Sequence, residues 1–396
     1  MTTPEPAGTA AAGSAGAAEP ARPQPGGAPR PTPLRAVHES LGATMTGFAG
    51  WLMPLRYRGE ISEHQAVRNA AGLFDLSHMG EIMVTGPGAG AALDYALTGH
   101  LSALAPGRAR YTMICAPDGG VLDDLIVYRL GEAEYMVVAN AANTPAVAPA
   151  LHDRAAGYDA KVTDETADHA LIAIQGPHAA GILAPLADIA LDGVKYYSGY
   201  RATVAGHPVL LARTGYTGED GFELFTAPGD AEAVWQALTA AGAGDGLVPA
   251  GLAARDTLRL EAGMPLYGNE LSDQLTPFDA GLGRVVVFGK PGDFVGRAAL
   301  AQRAQAEPRQ VLTGLIAGSR RVPRHGYPVT WDGVPCGTVT SGAPSPTLAV
   351  PIAMAYLDAA AAGQARDDTS GRLAVDIRGK LEPARITDLP FYRRPR

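Results

Sequence analysis

The most informative stretch of this chain is Gly119-Gly120-Val121-Leu122-Asp123-Asp124-Leu125-Ile126-Val127-Tyr128, which places two adjacent carboxylates in an otherwise apolar strand. Successive side chains of a strand point to opposite faces, so at least one of the two should point toward packed protein. A buried carboxylate is costly unless it is paired, hydrogen-bonded or kept for a task. Two interpretations stay open: Asp123 fixes the Gly119-Gly120 turn while Asp124 lies at a wet strand end, or one Asp faces a ligand cleft as an orienting group or proton acceptor.

Around this stretch, strands and helices follow each other in mixed order. Residues 111–116 and 121–129 are predicted to pair as a hairpin around Pro117-Asp118-Gly119-Gly120, a typical turn composition. Helices are predicted over residues 60–71, 89–97, 230–241 and 250–262, and further strands over 81–85, 135–139, 170–174, 209–213 and 222–225. Because strict βαβ alternation is missing, the order favours an α+β fold.

The two ends of the chain differ from this middle part. Residues 1–31 are mostly Ala, Gly and Pro and cannot bury enough apolar surface to offset the entropy of ordering, which predicts a disordered tail. From residue 311 onward, short strands separated by Gly and Pro predict a small all-β barrel or sandwich. We expect a catalytic region over residues 32–303, a boundary near Pro308, and a β domain over 308–392.

Composition excludes some classes of protein. The 396 residues are 46% hydrophobic and 18% charged, as in globular chains of two or three domains, and the net charge of -8 argues against a general nucleic-acid binder. Cys115 and Cys336 lie far apart and the histidines show no metal-type spacing, so no metal site is predicted and a cytoplasmic, reduced compartment fits best. No apolar stretch approaches the roughly 20 residues that a membrane helix needs.

A glycine-rich loop, Gly215-Tyr216-Thr217-Gly218-Glu219-Asp220-Gly221, precedes a short strand. Three glycines in seven residues exceed what a hairpin turn needs, so we interpret the loop as backbone that approaches a ligand closely, with Tyr216 stacking on it or closing over it; a simple hairpin turn is the alternative. On the following strand Glu223 faces away from its neighbours Phe222 and Leu224. It is either solvent-exposed or the second carboxylate of a cleft.

The predicted helix over residues 250–262 carries Arg255 and Arg259 one turn apart, on one face. They either form a network with Asp256 and Glu261 within the helix, or one guanidinium leaves it to bind a carboxylate. His78 is expected to be a satisfied buried histidine or a donor that lines a cleft.

Residues 86–90 superficially fit a dinucleotide-binding loop. However, Pro87 removes a backbone donor from a loop that has to donate hydrogen bonds, and no acidic residue follows at the spacing of a ribose partner. A tight strand-to-helix turn is therefore the preferred interpretation.

Eight segments in the same order resemble one family, the aminomethyltransferases, or T proteins, of the glycine cleavage system. Any one of these segments alone would be weak evidence for the family. They extend over nearly the whole range from residue 32 to residue 392, and they are Phe48-Ala49-Gly50-Trp51-Leu52-Met53-Pro54, Leu73-Phe74-Asp75-Leu76-Ser77-His78-Met79, residues 119–128, Ile174-Gln175-Gly176-Pro177, residues 214–221, residues 251–263, Leu266-Tyr267-Gly268-Asn269-Glu270 and Thr340-Ser341-Gly342-Ala343-Pro344-Ser345-Pro346-Thr347.

The resemblance implies two intertwined α+β subdomains around a central cleft, followed by a C-terminal all-β barrel. It also implies transfer of the methylene carbon of an aminomethyl group, held on the lipoyl arm of the H protein, to tetrahydrofolate, which releases ammonia and gives 5,10-methylenetetrahydrofolate. The family's catalytic aspartate falls on Asp124, and its folate contacts on Glu223, Arg255, Met79 and Asn140; with Tyr216 of the glycine-rich loop they form the predicted site. The implied partners are the H, P and L proteins of that system, with no nucleic acid and no membrane.

Several other functions are alternatives to the one that this resemblance implies. One is the folate module of dimethylglycine or sarcosine oxidases, which is disfavoured because no flavin domain precedes the chain. Another is the folate-binding relative linked to iron–sulfur cluster maintenance, whose Lys-Gly-Cys-Tyr-x-Gly-Gln motif is replaced here by residues 262–270, which contain no cysteine. A nicotinamide-dependent oxidoreductase that uses residues 86–90 and a non-catalytic folate-binding module are the more distant alternatives.

Overall fold

The computed structural model describes residues 27–368 and 370–395. The predicted tail lies outside the described residues as far as residue 26, but its last part is corrected by the structure, because Arg30–Pro31 form a short strand. The backbone N–H of Arg30 donates to Gly50 O at 2.9 Å, and the Arg30 guanidinium lies 4.2 Å from the centre of the Trp51 ring. These contacts tie the chain to the fold two residues earlier than composition indicates.

Strands contain more of the described residues than helices do. In chain order they are β1 (Arg30–Pro31), β2 (Thr44–Phe48), β3 (Trp51–Arg56), β4 (Ala71–Asp75), β5 (Gly80–Thr85), β6 (Ala109–Cys115), β7 (Val121–Gly131), β8 (Glu134–Ala139), β9 (Lys161–Asp164), β10 (Ala170–Gln175), β11 (Gly199–Val204), β12 (His207–Ala212), β13 (Gly221–Thr226), β14 (Leu247–Pro249), β15 (Gln310–Ala317), β16 (Pro328–Trp331), β17 (Val334–Ser345), β18 (Val350–Asp358), β19 (Leu373–Asp376) and β20 (Leu381–Thr387).

The α-helices lie between these strands. They are α1 (Arg35–Ser40), α2 (Glu60–Asn69), α3 (Ala89–Ala96), α4 (Thr144–Ala155), α5 (Ala179–Leu183), α6 (Ala231–Ala241), α7 (Leu252–Glu261), α8 (Arg297–Gln305) and α9 (Ala359–Ala365). The predicted hairpin is present as β6 and β7, which pair antiparallel with Met113 opposite Asp124.

Two sheets carry the first part of the fold and share the chain between them. One has the strand order β11-β12-β13-β10-β4-β14, and the other has the order β6-β7-β8-β5-β9. The chain leaves the first sheet after β4, builds the second sheet from β5 to β9, and returns to the first with β10. The predicted α+β class with two intertwined subdomains is therefore confirmed.

Each of these two sheets buries both of its faces. Phe222 and Leu224 of β13 pack with α5 and α6, whereas Leu125 and Val127 of β7 pack with α3 and α4. The opposite faces of the two sheets meet in a third apolar cluster, in which the rings of Tyr128 and Phe225 lie 5.9 Å apart. Side chains that alternate away from the helices therefore enter the space between the sheets.

The C-terminal part is a closed barrel with the strand order β15-β18-β17-β16-β19-β20, which confirms the predicted all-β barrel. Closure leaves no unpaired strand edge. The division of the chain at Pro308 stays a prediction; α8 ends at Gln305 before this residue and β15 begins at Gln310 after it.

A buried charge network holds the barrel against the helices. The Arg68 guanidinium of α2 lies 2.8 Å from a Glu219 carboxylate oxygen and 2.9 Å from one of Glu261, at the end of α7. Glu261 also accepts hydrogen bonds from the hydroxyls of Ser345 and Thr347, which belong to the end of β17 and the turn after it. Arg68, Ser345 and Thr347 thus supply the buried Glu261 carboxylate with several donors, which a buried charge requires.

Glu261 should make the stability of the fold depend on pH. Burial by itself raises the pKa of Glu261, but the hydrogen bond and charge of His64 and the hydroxyls of Ser345 and Thr347 lower it to about 2. In the unfolded chain the pKa is about 4.3. The unfolded chain therefore binds the proton first, so the contribution of Glu261 is complete above about pH 4.5 and is lost as the pH falls toward 2.

We expect Glu261→Gln to flatten the pH dependence of the free energy of unfolding across this interval, by on the order of 2 kcal/mol. Urea denaturation at a series of pH values measures it. Glu232→Gln, at an exposed position on α6, is the matched control and should follow the wild type. If the free energy of unfolding depends on pH in the same way in the wild type and in Glu261→Gln, this pH dependence does not come from Glu261.

Candidate active site

The two adjacent aspartates lie on opposite faces of β7. Asp123 is fully buried on the face of Leu125 and Val127, whereas Asp124 is half-buried on the face of Tyr128, which enters the space between the sheets. Asp123 does not fix the turn, because Asp118 accepts the hydrogen bond from Gly120 N–H at 3.1 Å. The first interpretation of the pair is therefore wrong.

Asp124 has one donor on each carboxylate oxygen. The Tyr111 hydroxyl donates to Oδ2 at 2.9 Å, and Asn140 Nδ2 donates to Oδ1 at 2.8 Å. Burial raises the pKa of Asp124, and these two hydrogen bonds offset only part of that effect. The arrangement fixes the plane of the carboxylate and gives it a proton affinity above that of an ordinary aspartate.

Asp123 takes its donors from the end of β8. Asn140 N–H, Asn140 Nδ2 and Asn143 Nδ2 donate to it at 3.0, 2.8 and 2.6 Å. Burial and the neighbouring Asp124 raise the pKa of Asp123, while its three N–H donors act in the opposite direction.

Glu223 projects from the other sheet into the same space. On β13 it lies opposite Ala173 on one side and Ala212 on the other, small residues of the cluster between the sheets, and it faces away from Phe222 and Leu224. The Thr214 hydroxyl donates to Glu223 Oε2. Burial raises the pKa of Glu223, while Thr214 and the charge of Arg255 act against this rise.

Arg255 and Arg259 have different surroundings although they share a helix face. Arg259 is buried, and its guanidinium bonds to Asp256 at 2.8 Å and to Glu270 at 3.1 Å. Within the described residues, the half-buried Arg255 guanidinium makes neither a hydrogen bond nor an ion pair; it lies 4.7 Å from the centre of the Tyr216 ring. Glu261 binds Arg68 instead of joining the predicted helix network. The two arginines therefore differ: the donors of Arg259 are used within the fold, whereas those of Arg255 have no acceptor among the described residues.

Met79 and Asn140 lie side by side at one end of the second sheet. Gly80 of β5 pairs with Ala139 of β8, so the residues just outside this pair, Met79 and Asn140, are neighbours. Met79 is half-buried against the cluster between the sheets. The side-chain amide of Asn140 donates to Asp124 Oδ1 at 2.8 Å.

Two further residues of the site escape sequence reasoning. Tyr111 lies on the same sheet face as Asp124 and diagonally across the hairpin from it, a relation that the pairing of β6 with β7 would have revealed. Thr214 connects Glu223 to the Tyr128 hydroxyl, which lies 2.8 Å from its Oγ1. No local pattern in the sequence points to Thr214.

The glycine-rich loop packs on protein, which corrects the expectation of close backbone approach to a ligand at two positions. A Cβ at Gly215 would lie 2.1 Å from Gln175 Oε1, and one at Gly221 would lie 2.5 Å from Gln175 Nε2. The Gln175 amide is itself fixed, because it donates to Thr214 O at 3.0 Å and accepts from the Thr217 hydroxyl at 2.9 Å. These glycines make room for a buried glutamine.

Gly215→Ala should therefore destabilise the fold by about 1–3 kcal/mol, since the added methyl has to displace a hydrogen-bonded side chain. The midpoint of urea denaturation measures the effect. Gly229→Ala is the matched control, because nothing lies within 4 Å of a Cβ at that position and neither glycine has a positive φ. Equal midpoints for the two variants would refute the close contact with Gln175.

The other candidate motifs serve the fold. The N–H groups of Gly86 and Gly88 donate to Ala133 O and Asp159 O, so these donors are not free for a phosphate.

His78 is buried, and its Nδ1 has no partner among the described residues, contrary to the expectation of a satisfied histidine. Burial and the charge of Arg255 lower the pKa of His78 to about 3.

The described residues contain neither a metal-type cluster of side chains nor a helix suited to a membrane. No group of three or more His, Cys, Asp or Glu side chains in them is arranged so that it could hold a metal ion. None of the helices in the same residues has the length and apolar character needed to cross a membrane.

Known proteins resemble this chain over most of its length. The family model for the GCVT N-terminal domain matches residues 34–290, and that for the glycine cleavage T-protein C-terminal barrel domain matches residues 309–393. The aminomethyltransferase of Streptomyces avermitilis is 65% identical over 370 residues, which cover 93% of this chain and 98% of that protein. The aminomethyltransferase of Cutibacterium acnes is 54% identical over 373 residues, which cover 92% of this chain and 99% of that protein.

A solved structure agrees with these matches. The crystal structure of glycine cleavage system aminomethyltransferase T from Bartonella henselae superposes with a TM-score of 0.84 at 36% identity, covering 92% of this chain and 98% of that one. The resemblance carried by the eight sequence segments is thus confirmed. The chain belongs to the aminomethyltransferase, or T-protein, family of the glycine cleavage system.

Proposed function

We propose that this protein transfers the methylene carbon of an aminomethyl group, carried on the lipoyl arm of an H protein, to tetrahydrofolate, releasing ammonia and giving 5,10-methylenetetrahydrofolate. One observation carries the proposal: Asp124 and Glu223 project from two different sheets into the same space, and the Arg255 guanidinium, which has no partner in the described part of the chain, lies close enough to Glu223 to affect its pKa. Two carboxylates and a guanidinium beside apolar walls suit a flat heterocycle with several donors and acceptors.

Glu223 is the proposed anchor of the pterin ring. A carboxylate has about four lone-pair positions, and the Thr214 hydroxyl uses one of them. The remaining positions can accept paired hydrogen bonds from the amino group and the ring N–H of the pterin. Arg255, backed by the Tyr216 ring, can donate to an acceptor of the same ligand, and Met79 supplies apolar contact.

Asp124 is the proposed catalytic residue. In the transfer, the methylene carbon forms bonds to two tetrahydrofolate nitrogens, while its bonds to the ammonia nitrogen and to the lipoyl sulfur break. Each folate nitrogen loses a proton; one proton ends on ammonia and the other on the lipoyl sulfur, which leaves the arm as a dithiol. Asp124 can accept a hydrogen bond from one folate N–H and then hold the proton, because Tyr111 and Asn140 fix both of its oxygens. Its raised pKa favours proton acceptance. Positioning of the nitrogen and stabilisation of its developing charge are the main contributions that this geometry supports.

The implied partners follow from the same proposal. The lipoyl arm of the H protein brings the aminomethyl group into the space between the sheets, and the P and L proteins of the system act on the same carrier. A cytoplasmic, reduced compartment remains part of the proposal; Cys115 and Cys336 are both free and buried.

The test is an assay for 5,10-methylenetetrahydrofolate with aminomethyl-loaded lipoyl carrier as the donor, with ammonia measured in parallel. We expect the two products in equal amounts, and neither with unloaded carrier or without tetrahydrofolate. Folate binding without turnover would indicate a non-catalytic folate module. NAD(H) binding without folate affinity would indicate an oxidoreductase instead.

A further inference from the structure

Asp123 is a buried acid to which the proposed reaction gives no task. Its exposed fraction is 0%, yet it takes three N–H donors: the main chain and side chain of Asn140 and the side chain of Asn143. The two oxygens share these donors so that Asn140 N–H binds Oδ2 and Asn140 Nδ2 binds Oδ1. Asn140 is therefore held at its backbone and at its amide by the same carboxylate.

The same amide also touches Asp124. Asn140 Nδ2 lies 2.8 Å from Asp123 Oδ1 and 2.8 Å from Asp124 Oδ1, so its two hydrogens serve two adjacent carboxylates. The amide nitrogen also lies 3.2 Å from the main-chain oxygen of Asp124, and all three acceptors are oxygens, so the nitrogen of the amide has to face them. Main-chain pairing explains how one side chain contacts both aspartates: Ile126 pairs with Val138, and the same register continued by two residues places Asn140 beside Asp124.

We propose that Asp123 is a positioning residue for the transfer: it clamps Asn140 so that the second N–H of the amide stays on Asp124 and fixes the orientation of the reacting carboxylate. The inference rests on the proposed role of Asp124. A free asparagine amide at a strand end has several rotamers, and most of them would leave Oδ1 of Asp124 without its donor. Reacting groups need support of this kind, because a small misorientation of a catalytic carboxylate lowers the rate strongly.

Asp123→Asn tests the clamp, because an amide nitrogen in place of either oxygen of Asp123 meets an N–H group of Asn140 where an acceptor is needed. We expect kcat to fall about tenfold or more while KM for tetrahydrofolate stays within about threefold. Asp153→Asn, an exposed position on α4, is the matched control and should behave as the wild type. A rise in KM at unchanged kcat would overturn the proposal.

A double-mutant cycle shows whether Asp123 acts through Asn140. In an Asn140→Ala background, Asp123→Asn should cost less than about twofold in kcat, since the group that it positions is already absent. If the two substitutions lower kcat independently, so that their factors multiply in the double mutant, the proposal is wrong. If Asp123→Asn fails to fold, Asn143→Ala replaces it in the cycle, because Asn143→Ala removes one of the three donors to Asp123. Asn143→Ala should lower kcat about two- to threefold in the wild type and should have no such effect in the Asn140→Ala background.

A second readout does not depend on activity. In protein labelled with ¹⁵N at asparagine, the side-chain amide protons of Asn140 should exchange slowly with water in the wild type and much faster in Asp123→Asn, or in Asn143→Ala if the former does not fold. Unchanged exchange would refute the clamp. If the wild type makes no methylenetetrahydrofolate, the proposed function fails, while the amide exchange still decides whether Asp123 holds Asn140.

Discussion

Asp124→Asn is expected to lower the rate of methylene transfer about a hundredfold or more, while the dissociation constant for tetrahydrofolate changes less than about threefold. The amide has nearly the shape of the carboxylate, but it cannot take up the proton that leaves the attacking nitrogen, and it stabilises developing positive charge poorly. The substitution should therefore weaken stabilisation of the transition state and leave ground-state binding of tetrahydrofolate nearly unchanged.

Single-turnover transfer from aminomethyl-loaded carrier and equilibrium folate binding measure the two effects separately. Asp153→Asn, exposed on α4, controls for a general effect of replacing an aspartate. The wild type should also lose activity as the pH falls through the pKa of Asp124, at a pH above that of an ordinary aspartate, because Asp124 has to be ionised to accept a proton and burial raises its pKa. Wild-type turnover in Asp124→Asn would remove Asp124 from the mechanism.

Glu223→Ala is expected to weaken tetrahydrofolate binding by roughly a hundredfold, because it removes two hydrogen bonds to a charged acceptor, each worth about 1.5–3 kcal/mol. The fold should tolerate the change, since the Thr214 hydroxyl that loses Glu223 still has the Tyr128 hydroxyl at 2.8 Å. Turnover at saturating tetrahydrofolate should fall much less than affinity, because Asp124 and its donors stay in place.

Calorimetric titration with tetrahydrofolate measures the dissociation constant. Glu232→Ala, at an exposed position of α6, is the matched control and should bind as the wild type does. An unchanged dissociation constant in Glu223→Ala would refute the assignment of Glu223 to the pterin. A large loss of turnover at saturation would instead assign Glu223 a part in the chemistry.

Several elements were predictable because their patterns are local. The β6–β7 hairpin follows from its turn residues and the apolar stretch after them, and the direction of Glu223 away from Phe222 and Leu224 follows from strand alternation. Helix α4 was not predicted, since Pro145 and Pro149 lie within its span and normally interrupt a helix. Strand β20, which closes the barrel, was missed because Pro383 and its charged neighbours hide the alternation of buried and exposed residues.

The environment of each charged residue was harder to predict. Arg255 and Arg259 lie on the same helix face, but Arg259 forms an ion pair with Glu270, whereas Arg255 lies against the Tyr216 ring and has no ion pair within residues 27–368 and 370–395. Glu261 finds its partner in Arg68, 193 residues earlier in the chain. Such choices depend on which distant elements pack beside the helix, and a linear pattern carries no information about them.

The sequence by itself determined the α+β class, the C-terminal barrel, the family, and the fact that Asp123 and Asp124 have to face opposite ways, because backbone periodicity and short motifs act over a few residues. Only the tertiary structure decided that Asp124 is the one in the space between the sheets, that Asn140 binds both carboxylates, and that Arg255 lies against the Tyr216 ring. The physical reason is that burial, hydrogen-bond partners and pKa values arise where segments distant in sequence pack together.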